Sequence, residues 1–140
     1  MRGKRLVGSL ALGVAVAFGL TVFAGEKPPE SYVKNMKETN AAAQQLRKSV
    51  EAKDYDAIAQ QAATLKNLFA TTQSFWEERK MEDAVTVAKN GAKAAADLET
   101  AAKGKNEEGV ASANKTLQGT CKTCHDAHRE RLSDGTSEIK

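Results

Sequence analysis

The sequence predicts an all-α protein built as an antiparallel four-helix bundle, on three observations. Both prolines, Pro28 and Pro29, precede the first apolar periodicity, so nothing from Glu30 onward forbids helix. The composition is rich in Ala, Lys, Glu and Gln and poor in Val, Ile and aromatics, a balance that forms helix readily. Four stretches then repeat apolar residues at helical spacing, each about 20 residues and so about 30 Å long. Their connections are mostly short, which makes sequential helices antiparallel neighbours.

Ahead of the bundle, residues 1–24 have the pattern of a signal peptide cleaved after Ala24. Arg2, Lys4 and Arg5 precede an apolar run from about Leu6 to Phe23, and Val22 and Ala24 are the small residues of the cleavage site. A retained anchor competes, but the run, interrupted by Gly8, Gly13 and Gly19, is near the lower limit of a membrane span. The expected product is therefore one domain, 25–140, exported to the periplasm with no membrane attachment after cleavage. Three of the 21 Lys+Arg and none of the 18 Asp+Glu lie in the leader, so the domain itself is charge-balanced. That balance argues against nucleic acid as a partner, because phosphate binding needs a concentrated basic face.

The first helix is expected from Glu30 to Val50, with Tyr32, Met36, Ala43, Leu46 and Val50 near one stripe. Asp54 is an N-cap for a second helix carrying Ile58, Ala62, Leu65 and Phe69 and stopping at Thr71 or Thr72. The stretch 71–83 breaks the pattern and is expected as the longest connection, folded back over the core because it holds Phe75 and Trp76. A third helix, Glu82 to Ala102, turns Val85, Ala88, Ala92, Ala95, Leu98 and Ala102 inward and is stopped by Gly104. The fourth begins near Asn106 and presents Val110, Ala113 or Asn114, Leu117, Cys121, Cys124, His128 and Leu132 before a polar tail from Ser133. No strand is expected. Alanine dominates the inner stripes of the first and third helices, so a bulky apolar ligand between helices would thicken a thin core.

The stretch GTCKTCHDAHR, 119–129, contains both cysteines and both histidines of the chain. On a helix, Cys121, Cys124 and His125 fall at i, i+3 and i+4 and project from one side. That suits two thioether bonds to a haem, with His125 as the proximal iron ligand. Zinc competes through the two thiolates, but no second pair of donors exists, and four ligands within eight residues of one helix cannot surround a tetrahedral ion. A redox dithiol lacks the βαβ context it usually has, and a disulfide across so short a loop stabilises little. Export favours haem further, because c-type haem is attached outside the cytoplasm.

A CxxCH near the C-terminus of the last of four helices, with Arg129 four positions beyond His125, resembles the class II cytochromes c, the cytochrome c-prime family. "SFWEERKMEDA" (74–84) is similar to that family's tryptophan-containing segment, and "YVKNMKETNAAAQQLRKSV" (32–50) to its first helix. The resemblance implies one covalent haem c in a four-helix bundle, and it admits a homodimer through the first two helices.

His128 lies three residues from His125 on the same helix and cannot reach the opposite haem face. The sixth iron position therefore falls to Met36, to Met81 or to no side chain. The resemblance implies that the first helix supplies the residue there, and Met36 matches that place. Arg129 is a candidate to contact a haem propionate, with a solvated arginine as the alternative, and Phe69, Phe75 and Trp76 are candidates to wall the haem, with ordinary core packing as theirs. Catalysis is not expected, since no triad, phosphate loop or free nucleophile remains once the cysteines carry thioethers. The expected function is one-electron transfer with redox partner proteins; the alternative is a five-coordinate haem that binds nitric oxide or carbon monoxide.

Overall fold

The computed structural model describes residues 25–140; the expected leader, 1–24, lies outside the described residues. Four helices follow one another: α1 (Glu30–Glu51), α2 (Tyr55–Glu78), α3 (Glu82–Lys103) and α4 (Glu107–His128). Two short strands, β1 (Arg129–Arg131) and β2 (Ser137–Ile139), close the chain. The expected four-helix bundle is thus present. Three-residue links between helices of 22 to 24 residues leave sequential neighbours no choice but to run antiparallel.

Those links are copies of one device. Lys53, Lys80 and Lys105 each take a left-handed backbone, with φ of 52°, 56° and 50°. Their N–H groups donate to the carbonyls of Val50, Glu77 and Ala102, while the next residue's N–H reaches back to Ser49, Trp76 and Ala101. This paired closure satisfies the last helical carbonyls and reverses the chain. The residue that completes one helix then starts the next. Asp54 Oδ1 accepts from the Ala57 N–H at 3.0 Å and Asn106 Oδ1 from the Gly109 N–H at 3.0 Å. Met81 holds the same place before α3 without a side-chain cap. Gly104, expected as the stop after the third helix, has a φ of −83°, and Lys105 makes the left-handed turn instead.

Two helix ends differ from expectation. α2 continues through Thr71 and Thr72 to Glu78, so the expected connection over 71–83 is mostly helix. The hydroxyls of Thr71, Thr72 and Ser74 donate to the carbonyls of Asn67, Leu68 and Ala70, which keeps these turn-favouring residues within the helix. Phe75 and Trp76 supply the packing that favours the extra turns, and Trp76 is only 1% exposed. α4, in contrast, stops at His128 and does not reach Leu132. Arg129 leaves the helix with φ −126° and ψ 127°. β1 then pairs antiparallel with β2, and Glu26 bridges to Ile139 on the far side, so strand structure is present where none was expected.

The most intimate helix pairs are α2 with α3, α3 with α4, and α1 with α2, which leaves the α1/α4 seam the loosest side. Phe69 presses on the α3 backbone at Gly91, where an added Cβ would lie 2.4 Å from the ring. Buried apolar residues form two clusters. The larger joins Leu46, Ile58, Leu65, Phe69, Leu98, Val110 and Leu117 with alanines of all four helices. The smaller sits at the other end, around Trp76, Ala84 and Ile139, with Tyr32, Phe75, Met81 and Val85 packed against it. The buried stripe of α1 is Asn35, Ala42 and Leu46, so Tyr32, Met36 and Ala43 are half-buried on a neighbouring face. On α3, Ala84, Gly91 and Ala94 are buried, whereas the expected Val85 and Ala92 are half-buried. No helix among the described residues is long and apolar enough to cross a membrane.

Two measurements test this packing. Gly91→Ala should destabilise the chain by about 1–3 kcal/mol despite alanine's better helix propensity, because the methyl must displace the Phe69 ring; denaturant unfolding reads this directly. Glu99 on α3 accepts from Lys66 of α2 at 2.9 Å and from Lys103, which hold its carboxyl at about 2, below the ordinary 4.5. A carboxyl depressed on folding stabilises above its unfolded value and loses that contribution as pH falls toward the folded one. The difference in melting temperature between the wild type and Glu99→Gln should therefore shrink between about pH 5 and about pH 2. An unchanged difference across that window would contradict the assignment.

Candidate functional site

The last two turns of α4 carry the site. Cys121, Cys124 and His125 are half-buried, and both cysteines are free thiols. The helix stays regular through them, and the Thr120 and Thr123 hydroxyls are satisfied by donating back to the carbonyls of Thr116 and Gly119, each at 3.0 Å. Lys122 and Asp126 pair on the outer face. The spacing of i, i+3 and i+4 thus puts two sulfurs and one imidazole on one side of an intact helix.

Burial sets the electrostatics there. It raises the Cys121 thiol, opposed in part by Arg47. It pushes Cys124 up to about 11, with the Cys121 and Asp83 charges adding and Arg129 opposing. The His125 imidazole is held below its ordinary value, first by burial and then by Arg129, with Asp126 opposing. A neutral imidazole and two protonated thiols are the forms this environment prefers.

Across the loose seam stands one face of α1. Tyr32 is close enough to Cys124 for that thiolate's charge to reinforce the burial that raises the phenol above its ordinary value. Further along, Arg47 acts on Cys121. Tyr32, Met36, Ala43 and Arg47 lie at spacings of 4, 7 and 4 residues, which is one stripe of a helix. The residues at its two ends are within electrostatic range of the two cysteines, and Met36 and Ala43 lie between them in sequence.

The end of the bundle beside this seam is closed by rings. Tyr32 stacks on Phe75 at 3.9 Å, Phe75 meets Trp76 edge-on at 5.0 Å, and Trp76 contacts the His128 ring at 5.1 Å. Arg79 covers Phe75 at 3.8 Å and donates to Glu26 at 2.8 Å. His128 is buried, with Nε2 3.0 Å from Asp83 Oδ2, so its ring is committed to α3. Ile139 of β2 is buried in the same cluster.

Phe75 and Trp76 therefore pack at the CxxCH end of the bundle, whereas Phe69 belongs to the larger core over Gly91. Met81 packs in the ring cluster at the start of α3. Arg129 is exposed and begins β1, so it is not one helical turn beyond His125, although its charge still reaches Tyr32, Cys124 and His125. Arg47, Arg79 and Asp83 were not anticipated. Arg47 was findable, because it continues the Met36 stripe by 11 residues; Arg79 and Asp83 look like ordinary surface charges near a helix link.

A c-type haem fits these residues. Two thiols and an imidazole on one helix side supply its attachment and proximal donor set, and the loosest seam of the bundle lies in front of them. Two buried polar atoms at this end, Arg79 Nε and His128 Nδ1, have no hydrogen-bond partner within the protein, and Trp76 Nε1 has none of good geometry, although it lies close enough to the Tyr32 hydroxyl to act on it. Indole and guanidinium N–H groups are obligate donors, suited to an acceptor-rich group such as a carboxylate. The sulfurs can be tested before haem attachment. Both should alkylate more slowly than free cysteine at about pH 8, because a raised value leaves less thiolate. Cys124 reactivity should climb through about pH 11. Alkylation across pH, resolved by mass spectrometry, checks this; Cys124 as reactive as free cysteine at neutral pH would contradict it.

Residues 70–129, from the middle of α2 through α3 and α4 to the end of the CxxCH segment, match the protein-family model described as Cytochrome C'. No curated protein matches the chain. The α1 helix, with Met36, lies outside the matched span, so what is said of it rests on its own geometry. Four helices, a CxxCH on the last of them and this match together support a c-type haem cytochrome of the cytochrome c-prime kind.

Proposed function

We propose that the chain is an exported one-electron carrier with a single haem c. Cys121 and Cys124 form the thioethers, His125 is the proximal ligand, and Met36 is the sixth ligand. What supports this reading is the α1 stripe of Tyr32, Met36, Ala43 and Arg47, whose Tyr32 packs in the ring cluster at the CxxCH end of the bundle and whose Arg47 is near enough for its charge to act on Cys121. Met36 lies on that stripe at a helix position the Asn35 side chain does not share. The bound haem supplies an iron that gains and loses one electron. The protein's part is to hold it and to exclude water. Held by His125 and Met36, the haem would have a potential favouring its reduced form. The rings of Tyr32, Phe75 and Trp76 limit solvent access, which also bears on the potential.

The leader 1–24 directs the chain to the periplasm, where it exchanges electrons with redox partner proteins and catalyses no reaction itself. Two copies pair through α1 and α2. Before haem is attached, Arg129 bears on the site through charge, partly offsetting the burial that raises the Cys124 thiol and adding to the burial that keeps His125 neutral.

The test is the absorption spectrum of the holoprotein made with haem-maturation machinery, reduced and then exposed to carbon monoxide. A low-spin spectrum indifferent to carbon monoxide is expected. Met36→Ala should then raise carbon monoxide affinity by at least about a hundredfold, the factor expected if Met36 occupies the iron about 99% of the time. A wild type that takes up carbon monoxide readily would favour the five-coordinate, gas-binding alternative, with Met36 only crowding the distal face.

A further inference from the structure

We infer that the buried hydrogen bond between Asn35 and Thr72 is a positioning lock: it fixes the rotation of α1 on α2 and thereby sets how Met36 is presented to α4. The inference rests on the proposal that Met36 covers the distal side of the iron.

Asn35 is 6% exposed and Thr72 5% exposed, in an interface otherwise closed by apolar side chains. Asn35 Nδ2 donates to Thr72 Oγ1 at 2.8 Å and lies 3.3 Å from the Leu68 carbonyl. The Thr72 hydroxyl in turn donates to that same carbonyl at 3.0 Å. Backing this, the Thr39 hydroxyl donates to the Asn35 carbonyl at 2.8 Å, one turn along α1. The Thr39 and Thr72 hydroxyl bonds lie within their own helices; the two bonds from Asn35 Nδ2 cross from α1 to α2, and they are met only in a narrow range of relative settings of the two helices.

The lock matters because little else specifies that setting. α1 has 22 residues and buries only Asn35, Ala42 and Leu46. Ala42 offers no shape to key against, and Leu46 lies three turns from Asn35, near the other end of the helix. A polar pair inside an apolar interface, by contrast, penalises every rotation and slip that separates its partners. Met36 follows Asn35 directly, about 100° further around the helix. Turning Asn35 toward α2 therefore turns Met36 toward the seam with α4.

The experiment compares four holoproteins: wild type, Thr72→Ser, Thr72→Val and the double variant Asn35→Leu/Thr72→Val. Each is read by its ferrous spectrum, its carbon monoxide affinity, its helix content and its melting temperature. Thr72→Ser keeps the hydroxyl and should stay within about twofold of wild type in carbon monoxide affinity. The double variant replaces both partners with apolar groups of similar size, so it should remain helical. Its carbon monoxide affinity should rise by about tenfold or more as the iron spends more time uncovered, and its low-spin fraction should fall. Thr72→Val, which leaves Asn35 only the Leu68 carbonyl, should shift in the same direction and decides the matter if the double variant loses haem.

Melting temperatures that change while spin state and carbon monoxide affinity do not would overturn the inference, because a merely structural pair predicts that pattern. A wild type that binds carbon monoxide readily overturns the six-coordinate proposal instead. The lock then stands if Thr72→Val alters carbon monoxide affinity and falls if it does not.

Discussion

The close approach of α2 to α3, allowed because Gly91 leaves room for the Phe69 ring, is the contact on which the rest of the bundle depends. These two helices form its spine. α1 is hung on α2 and α4 on α3, so the one side of the bundle with no strong pairing of its own is the seam between first and last. A protein that must hold a flat, bulky apolar group needs such a seam, with reactive side chains on one wall and a covering side chain on the other. Packing the core with alanine rather than larger residues serves the same end, since small side chains stabilise the spine without closing the remaining side.

What lies at the two ends of the seam differs in kind. Toward the larger cluster the packing is aliphatic, around Leu46, Leu65 and Leu98. Toward the CxxCH it is made of rings, and the His128 ring carries a nitrogen atom that finds no partner inside the protein. Burial there raises both thiols and lowers His125, which keeps the site uncharged before it is loaded and leaves the imidazole able to bind iron. The His128–Asp83 pair ties the end of α4 to the start of α3. The second histidine thus belongs to the scaffold.

Much of this was legible in the sequence, for reasons that differ by element. Asp54 and Asn106 could be read as helix starts because a short acceptor at that position answers a local backbone need. The CxxCH could be read because covalent chemistry demands those residues at that spacing. The end of α2 could not. Thr71, Thr72 and Ser74 look like turn residues until their hydroxyls are seen bonding back along the helix, and the burial of Trp76 is a tertiary effect that local propensity does not contain. The hairpin was signalled more plainly than it was read. Asp134-Gly135, with Gly135 at φ 85° and Asp134 accepting from Thr136, is a turn between two short runs that show no apolar alternation. Asn35 was hidden differently, since a polar residue between Lys34 and Met36 looks solvated until the opposing Thr72 is known.

The bridge between Glu26 and Ile139 gives the molecule a closing order. Every helix pairing joins neighbours in the chain, so the bundle can assemble from local contacts that require little loop closure. The two backbone hydrogen bonds of that bridge, each 2.8 Å, instead join nearly the two extremes of the described chain. They carry the largest entropic penalty of any contact in the fold and rest on few buried atoms. This seam of the two chain ends is thus the last to form and the first to open. Ile139, which that bridge holds, is buried against Trp76 in the ring cluster, so the packing at the CxxCH end depends on a contact between distant parts of the chain, while the aliphatic cluster does not include it.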